Sequence, residues 1–423
     1  MPLIGFGQGF EKYFGETNHQ YMGGFVQQTT DGGYIICGTS RDNISSYNPD
    51  FLLIKTTPQG DSSWIKKFNY GGSSHDFGQS VQQTTDGGYI ICGYTNMDTT
   101  YNDIYLIKTD VSGIEQWSQT FGGSDNDRGY SVQQTTDGGY IISGIKKLSG
   151  VWNYDLYLIK TDGNGNQQWS QTFGGGNSYG SSSVKQTNDG GYIICGDSTN
   201  YIYIIKTNTT GNQQWSQIIG DGFNSYDGHS IQQTTDGGYI ICGVINDTLG
   251  YSDIYLTKID SSGNQQWSQT FGGGITWEEG SSVQQTTDGG YIICGRERLT
   301  WGTFSDSSKV YLIKTDGNGN QQWDQRFGGS NPNWGGVVQQ TTDGGYIICG
   351  MTEIIHEQDY DIYLIKTDGN GNVTSTFNIP TPSSNRKLEK VVDILGRDIN
   401  PEKNRILFYL YSDGTVEKKI IIK

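Results

Sequence analysis

The stretch FEKYFG, residues 10–15, matches WSQTFG, residues 117–122, position for position, with Phe10 standing for Trp117 and Phe14 for Phe121. One copy opens the chain. The other ends a unit that recurs along it: the phrase DGGY occurs seven times, with its Asp at Asp31, Asp86, Asp137, Asp189, Asp236, Asp288 and Asp343, spaced by 55, 51, 52, 47, 52 and 55 residues. Such a period marks a repeat architecture. Each unit divides into four short strands: VQQTT, a DGG turn, YIICG, a variable loop, DIYLIKT, a D-x-x-G turn, and QQWSQTF. Asp-Gly turns suit tight hairpins, and the nearly unbroken apolar runs of the middle strands suit a small sheet covered on both faces.

A lone four-stranded meander cannot cover both its faces, so neighbouring units must stack, either as a closed propeller or as a linear solenoid. The ends of the chain decide between them. The outer strand carries Trp64, Trp117, Trp169, Trp215, Trp267 and Trp323 in six units, but the seventh runs on from TDGNGN to VTSTFN with Ser375 in the Trp position. Its missing strand is FEKYFG. A circular offset of this kind closes a ring, whereas a solenoid wants polar caps. The expected fold is all-β: a seven-bladed β-propeller of four-stranded blades over residues 1–377, with residues 7–15 completing blade seven and Phe10 and Phe14 closing the ring.

Composition agrees. The 423 residues include 63 Gly and 28 Tyr but no Ala, the balance of strands and turns rather than helices. A net charge of −16 argues against nucleic acid or an anionic membrane surface as partner. No apolar run approaches the roughly 20 residues of a membrane-spanning helix. MPLIGFGQGF has neither the basic start nor the apolar core of a secretory leader, so any leader is expected upstream of Met1.

If the strands alternate in direction, the DGG and D-x-x-G turns share one nearly invariant face. The variable loops and the links between blades share the other, where function on a rigid scaffold is expected. That face is aromatic: Tyr47, Tyr101, Trp152, Tyr154, Tyr226, Trp277, Trp301 and Trp334 are its candidate ligand-binding residues, among side chains that would also pack blade on blade. Rings beside polar groups suit sugars and protein hot spots alike. The densest acidic pair there, Glu278-Glu279, is the candidate for catalysis, though adjacent acids on a loop are usually just solvated.

DGNGN at Asp162, Asp316 and Asp368 resembles the start of a calcium loop, but the equivalent turns elsewhere keep only D-x-x-G and no bidentate Glu follows. A hairpin turn without metal is expected, with calcium as the alternative and no other cofactor. Six Cys share one repeat position, one blade apart and too distant for disulfides; buried thiols are expected. A Lys ends the third strand of every unit, Lys55 to Lys366, and its match to the seven DGG Asp residues predicts Lys–Asp pairing. Gln28 and its six repeat equivalents are expected to give a polar channel rim. No G-x-S-x-G, H-E-x-x-H or paired-Cys zinc spacing is present, and near-identical blades argue against an enzyme without excluding one, since an active site needs different residues in different roles.

YLIKTDGNGNQQW resembles the Trp-bearing repeat of quinoprotein propellers, which implies the fold, and the longer DGGYIICG…FGG unit is similar to repeats of bacterial and archaeal surface proteins. After the linker 378–386, residues 387–423 resemble the C-terminal sorting domain of the type IX secretion system of Bacteroidota. The matching residues include Asp393, Gly396, Arg397, Asp413 and Gly414, with a hairpin at Ser412-Asp413-Gly414. This resemblance implies secretion machinery as a partner and a secreted or cell-surface location. The resulting expectation is a non-enzymatic propeller that binds a glycan or protein through its aromatic loop face. The alternatives are a polysaccharide-acting hydrolase or lyase, or a purely structural component of an extracellular assembly.

Overall fold

The computed structural model describes residues 9–15, 19–42, 48–97, 101–147, 153–178, 183–273, 276–298, 308–329, 331–355, 359–373, 387–392, 406–411 and 416–420. Among them there is no helix, and none therefore that is long and apolar enough to cross a membrane. The chain divides into two compact units, Met1–Val373 and Thr374–Lys423.

The first unit is a seven-bladed β-propeller. Seven four-stranded antiparallel sheets follow one another along the chain, and the inner strands of successive blades are neighbours all the way round, the last touching the first. Blade 1 comprises Gln20–Gln28, Tyr34–Arg41, Pro49–Thr56 and Ser62–Phe68; blades 2 to 6 repeat this order, with inner strands His75–Gln83, Asp127–Gln134, Ser183–Gln186, Ser225–Gln233 and Trp277–Gln285. Blade 7 is built from Asn333–Gln340, Tyr346–Ile355 and Asp359–Thr367, and its outer strand is Phe10–Phe14. Phe10 pairs Lys366 and Phe14 pairs Ile362, the register in which Trp117 pairs Lys108 and Phe121 pairs Ile104.

Packing between blades explains the invariant residues. Each outer-strand Trp meets the DGGY Tyr of the next blade, with ring centroids 5.8–6.0 Å apart in six pairs, and Phe10 takes the seventh place 6.1 Å from Tyr34. The Lys–Asp pairs are present in all seven blades at 2.8–2.9 Å. Each Lys is nearly buried and also donates to a backbone carbonyl, as Lys160 does to Thr161 (2.9 Å). Burial by itself would raise the partner carboxyls. Hydrogen bonds from Lys, Thr and Gly outweigh it and hold Asp86, Asp137, Asp189, Asp236 and Asp288 down at about 2. All six Cys are free and buried, and burial raises their thiols.

The second unit contains a three-stranded antiparallel sheet of Leu388–Val392, Ile406–Tyr411 and Val416–Ile420, with the middle strand in the centre. Asp393, Gly396, Arg397, Asp413 and Gly414 lie outside the described residues.

Candidate functional site at the axial channel

The inner strands enclose an axial cavity of about 480 Å³. Two girdles of glutamines organise its wall. In the first, the backbone N–H that follows one blade's girdle residue donates to the side-chain oxygen of the preceding blade: Gln83 N to Gln27 Oε1 (2.7 Å), Gln134 N to Gln82 (2.5 Å), Gln186 N to Gln133 (2.8 Å), Gln285 N to Gln232 (2.7 Å), Gln340 N to Gln284 (2.5 Å) and Gln28 N to Gln339 (2.7 Å). The seventh position is Lys185, which has no oxygen to offer, so the girdle is open at Gln233. In the second girdle, Gln28 and its six equivalents accept from the turn of the preceding blade, as Gln83 Oε1 does from Thr30 N (2.9 Å) and Gln28 Oε1 from Thr342 N (2.9 Å). These are the residues expected at the channel rim; the lining is formed instead by their chain neighbours, the Gln27 series.

Above the girdles the sevenfold sameness ends. In six blades the inner strand carries a β-bulge just after a Gly. A bulge leaves one residue out of the ladder and re-aims it. The bulged residues are Gly24, Gln79, Tyr130, His229, Ser281 and Gly336, alike only in the two glycines; each lines the channel. His229 Nδ1 lies 2.7 Å from Gly280 O and Ser281 Oγ donates to Gly335 O (3.0 Å), each reaching the next blade. A carbonyl only accepts, so His229 carries its proton on Nδ1 and keeps Nε2 for another partner.

Blades 2 to 5 add charge and rings at this level. Phe77 stacks on Tyr94 (4.9 Å), and the Arg128 guanidinium sits 5.2 Å from the Tyr94 ring centre. Burial raises the Tyr130 hydroxyl, and the charge and hydrogen bond of Arg128 oppose the rise while Tyr154 and Asp197 add to it. Asp197 accepts from Gly228 N (2.7 Å); burial pushes its carboxyl up to about 6, with His229 opposing and Asp227 reinforcing. Arg128, Tyr130, Tyr154, Asp197 and His229 therefore share one electrostatic neighbourhood, supplied by three blades.

The residues expected on the aromatic face scatter. Tyr154 joins this neighbourhood. Trp334 stands at the repeat position of Arg128, with Arg296 4.9 Å over its ring and Tyr360 edge-on at 5.4 Å. Trp277 is half-buried with Arg298 6.0 Å away, and Tyr101 is 44% exposed at the start of the third strand of blade 2. Tyr226 is in the core, edge-on to Tyr255 at 5.0 Å with its hydroxyl on Asp221 (3.2 Å). Tyr47, Trp152 and Trp301 lie outside the described residues. Glu278 holds the same repeat position as Tyr226, two before the bulge Gly, and is buried away from the cavity lining; burial, with Asp253 and Glu297 nearby, lifts its carboxyl to about 7. Glu279 is exposed beside it, opposite Arg296.

The D-x-x-G carboxylates bind their own turns. Asp162 accepts from Asn164 N, Asn166 N and Asn166 Nδ2, each at 2.9 Å; Asp316 repeats this set, and Asp368 accepts from Asn370 N and Asn372 N. Among the described residues no group of three or more His, Cys, Asp or Glu is placed to hold a metal ion.

No protein-family model matches the chain, and no curated protein matches it. Solved structures do. A puromycin hydrolase mutant complexed with PGG superposes with a TM-score of 0.53 at 9% identity, over 92% of this chain and 58% of that one. The polysaccharide lyase Uly1 gives 0.53 at 12% identity, over 82% and 90%. This chain thus spans little more than half of the hydrolase. At such identities the likeness is one of fold, a β-propeller.

Proposed function

We propose that the propeller is a non-enzymatic binding module that takes a glycan at the loop-face mouth of its axial channel. The observation that carries this is the break in sevenfold symmetry at the bulge: blades of one pattern present Gln79, Tyr130, His229 and Ser281 to the same channel. A ring face with hydroxyl, amide and imidazole groups around it suits the C–H faces and hydroxyls of a sugar. A glycan array followed by calorimetry tests it. Tyr130→Ala should weaken the bound glycan roughly tenfold, the worth of one well-placed ring. A blank array, or binding indifferent to Tyr130 and Trp334, would overturn it.

A second reading, a polysaccharide lyase or hydrolase, draws on Tyr130 and His229 as proton-transfer groups near Arg128. The Tyr130 hydroxyl is raised by burial, away from the lowered value that a general base near neutral pH needs. New reducing ends released from a bound polysaccharide, and lost in His229→Ala, would establish this reading in place of binding alone. We also propose secretion or surface display, supported by the resemblance of residues 387–423 to a sorting domain; fractionation of the native cell with and without that tail tests it.

A further inference from the structure

The first girdle has a chemistry of its own. Its donors are backbone N–H groups, which only a side-chain oxygen can accept, so six Gln side chains have their orientation fixed by chemistry. Each spends Oε1 on the next blade and is left with an NH₂ group beside the channel. The seventh position adds the ammonium of Lys185, half-buried in the lining and with no acceptor among the described residues. The Ser131, Ser183, Ser230 and Ser282 hydroxyls stand just above, each already accepting a backbone N–H and so left with a proton to donate.

Among the described residues no Asp or Glu lines the cavity. An unpaired ammonium in a partly desolvated channel is costly unless an anion answers it. Glutamine at position 185 would have completed the girdle, so lysine there both opens a structural link and introduces a charge.

We propose that the axial channel binds a carboxylate group at Lys185, with the flanking amides Gln133 and Gln232 donating to its oxygens. One cation matches a monoanion, and amide N–H pairs match the two oxygens of a carboxylate. The carboxylate belongs either to a small free acid or to a uronate unit of a glycan. Lys185 and the bulge residues line one cavity, so the uronate alternative rests on the proposed glycan binding; a change at 185 leaves the bulge residues in place, and the two readings therefore fail separately.

Calorimetry of the full chain with acetate and with glucuronate, in a zwitterionic buffer, tests the proposal in wild type and Lys185→Gln. Saturable binding in wild type, weakened at least tenfold in K185Q, is expected. Acetate and glucuronate binding alike would point to the free acid; glucuronate alone would point to the glycan. K185Q should also melt higher than wild type without ligand, because it supplies the missing acceptor for Gln233 N–H, and this shows that the variant is folded. Absence of carboxylate binding in wild type, or equal binding in a K185Q of unimpaired stability, overturns the assignment.

Discussion

Gly165 shows why the glycine of the D-x-x-G turn is invariant. Its φ of +82° favours glycine, and a Cβ there would come within 2.6 Å of the Trp117 ring of the preceding blade. Gly138, in the DGG turn of the same blade, has a similar φ of +84° but nothing within 4 Å. The pair separates two causes. Gly138→Ala should cost about 1–2 kcal/mol for the left-handed backbone alone. Gly165→Ala should cost about 1–3 kcal/mol more, because the Trp117 ring is packed and must move. Urea denaturation of both variants measures the difference, and equal losses would show that the ring exerts no constraint. The Asp that heads five of the seven turns, replaced by Thr57 and Asn208 in the others, is explained at the same scale. It resembles a calcium ligand in sequence, but in the fold its oxygens face the N–H groups of its own turn.

A blade is the smallest element in which the sequence pattern becomes a surface, and blade 7 is assembled from both ends of the propeller. Removing residues 1–15 leaves Asp359–Thr367 as an unpaired edge and strips Tyr34 of its Phe10 partner. The melting temperature should fall by about 10 °C or more, with association through the bare edge. A peptide of residues 7–16 added in trans should restore it, as strand addition does elsewhere. A truncated chain that melts within a degree or two of the whole would show that the strand is an accessory. The closure was legible because turn chemistry and the Trp position are local and repeat seven times. The site was not, for an equally physical reason. A bulge in mid-strand breaks the period of two, so nothing in the alternation reveals that Tyr130 and His229 leave the ladder for the channel. The signal available was variation between the Gly and the VQQ-like end of the inner strand in six units. Attention to variable loops led instead to Tyr226 and Glu278, which share a buried repeat position.

The whole molecule joins two opposed sets of carboxyls, and their balance fixes its stability profile. Asp86, Asp137, Asp189, Asp236 and Asp288 sit at about 2 when folded, below the ordinary value of 3.8. Their contribution is complete above the unfolded value and is lost as pH falls from about 5 towards 2. Each of these Asp side chains is more than half exposed, so solvent screening keeps the individual terms to about 0.5 kcal/mol, although they act together. Glu278, at about 7, and Asp127 and Asp197, at about 6, are raised chiefly by burial. For these the sign reverses: their stabilising contribution is complete below the unfolded value and disappears as pH rises through 6 to 7. The net charge of −16 at neutral pH adds self-repulsion that acidification relieves. Thermal unfolding followed from pH 3 to 8 should therefore peak at about pH 5 and decline on both sides. Glu278→Gln isolates the alkaline limb: it should raise the melting temperature at pH 7.5, leave it little changed at pH 5, and flatten the decline between them. A profile that climbs steadily from pH 5 to 8, or an E278Q variant that melts lower than wild type at pH 7.5, would mean that the buried Glu278 is held charged by its neighbours and is part of what binds blades 5 and 6 together.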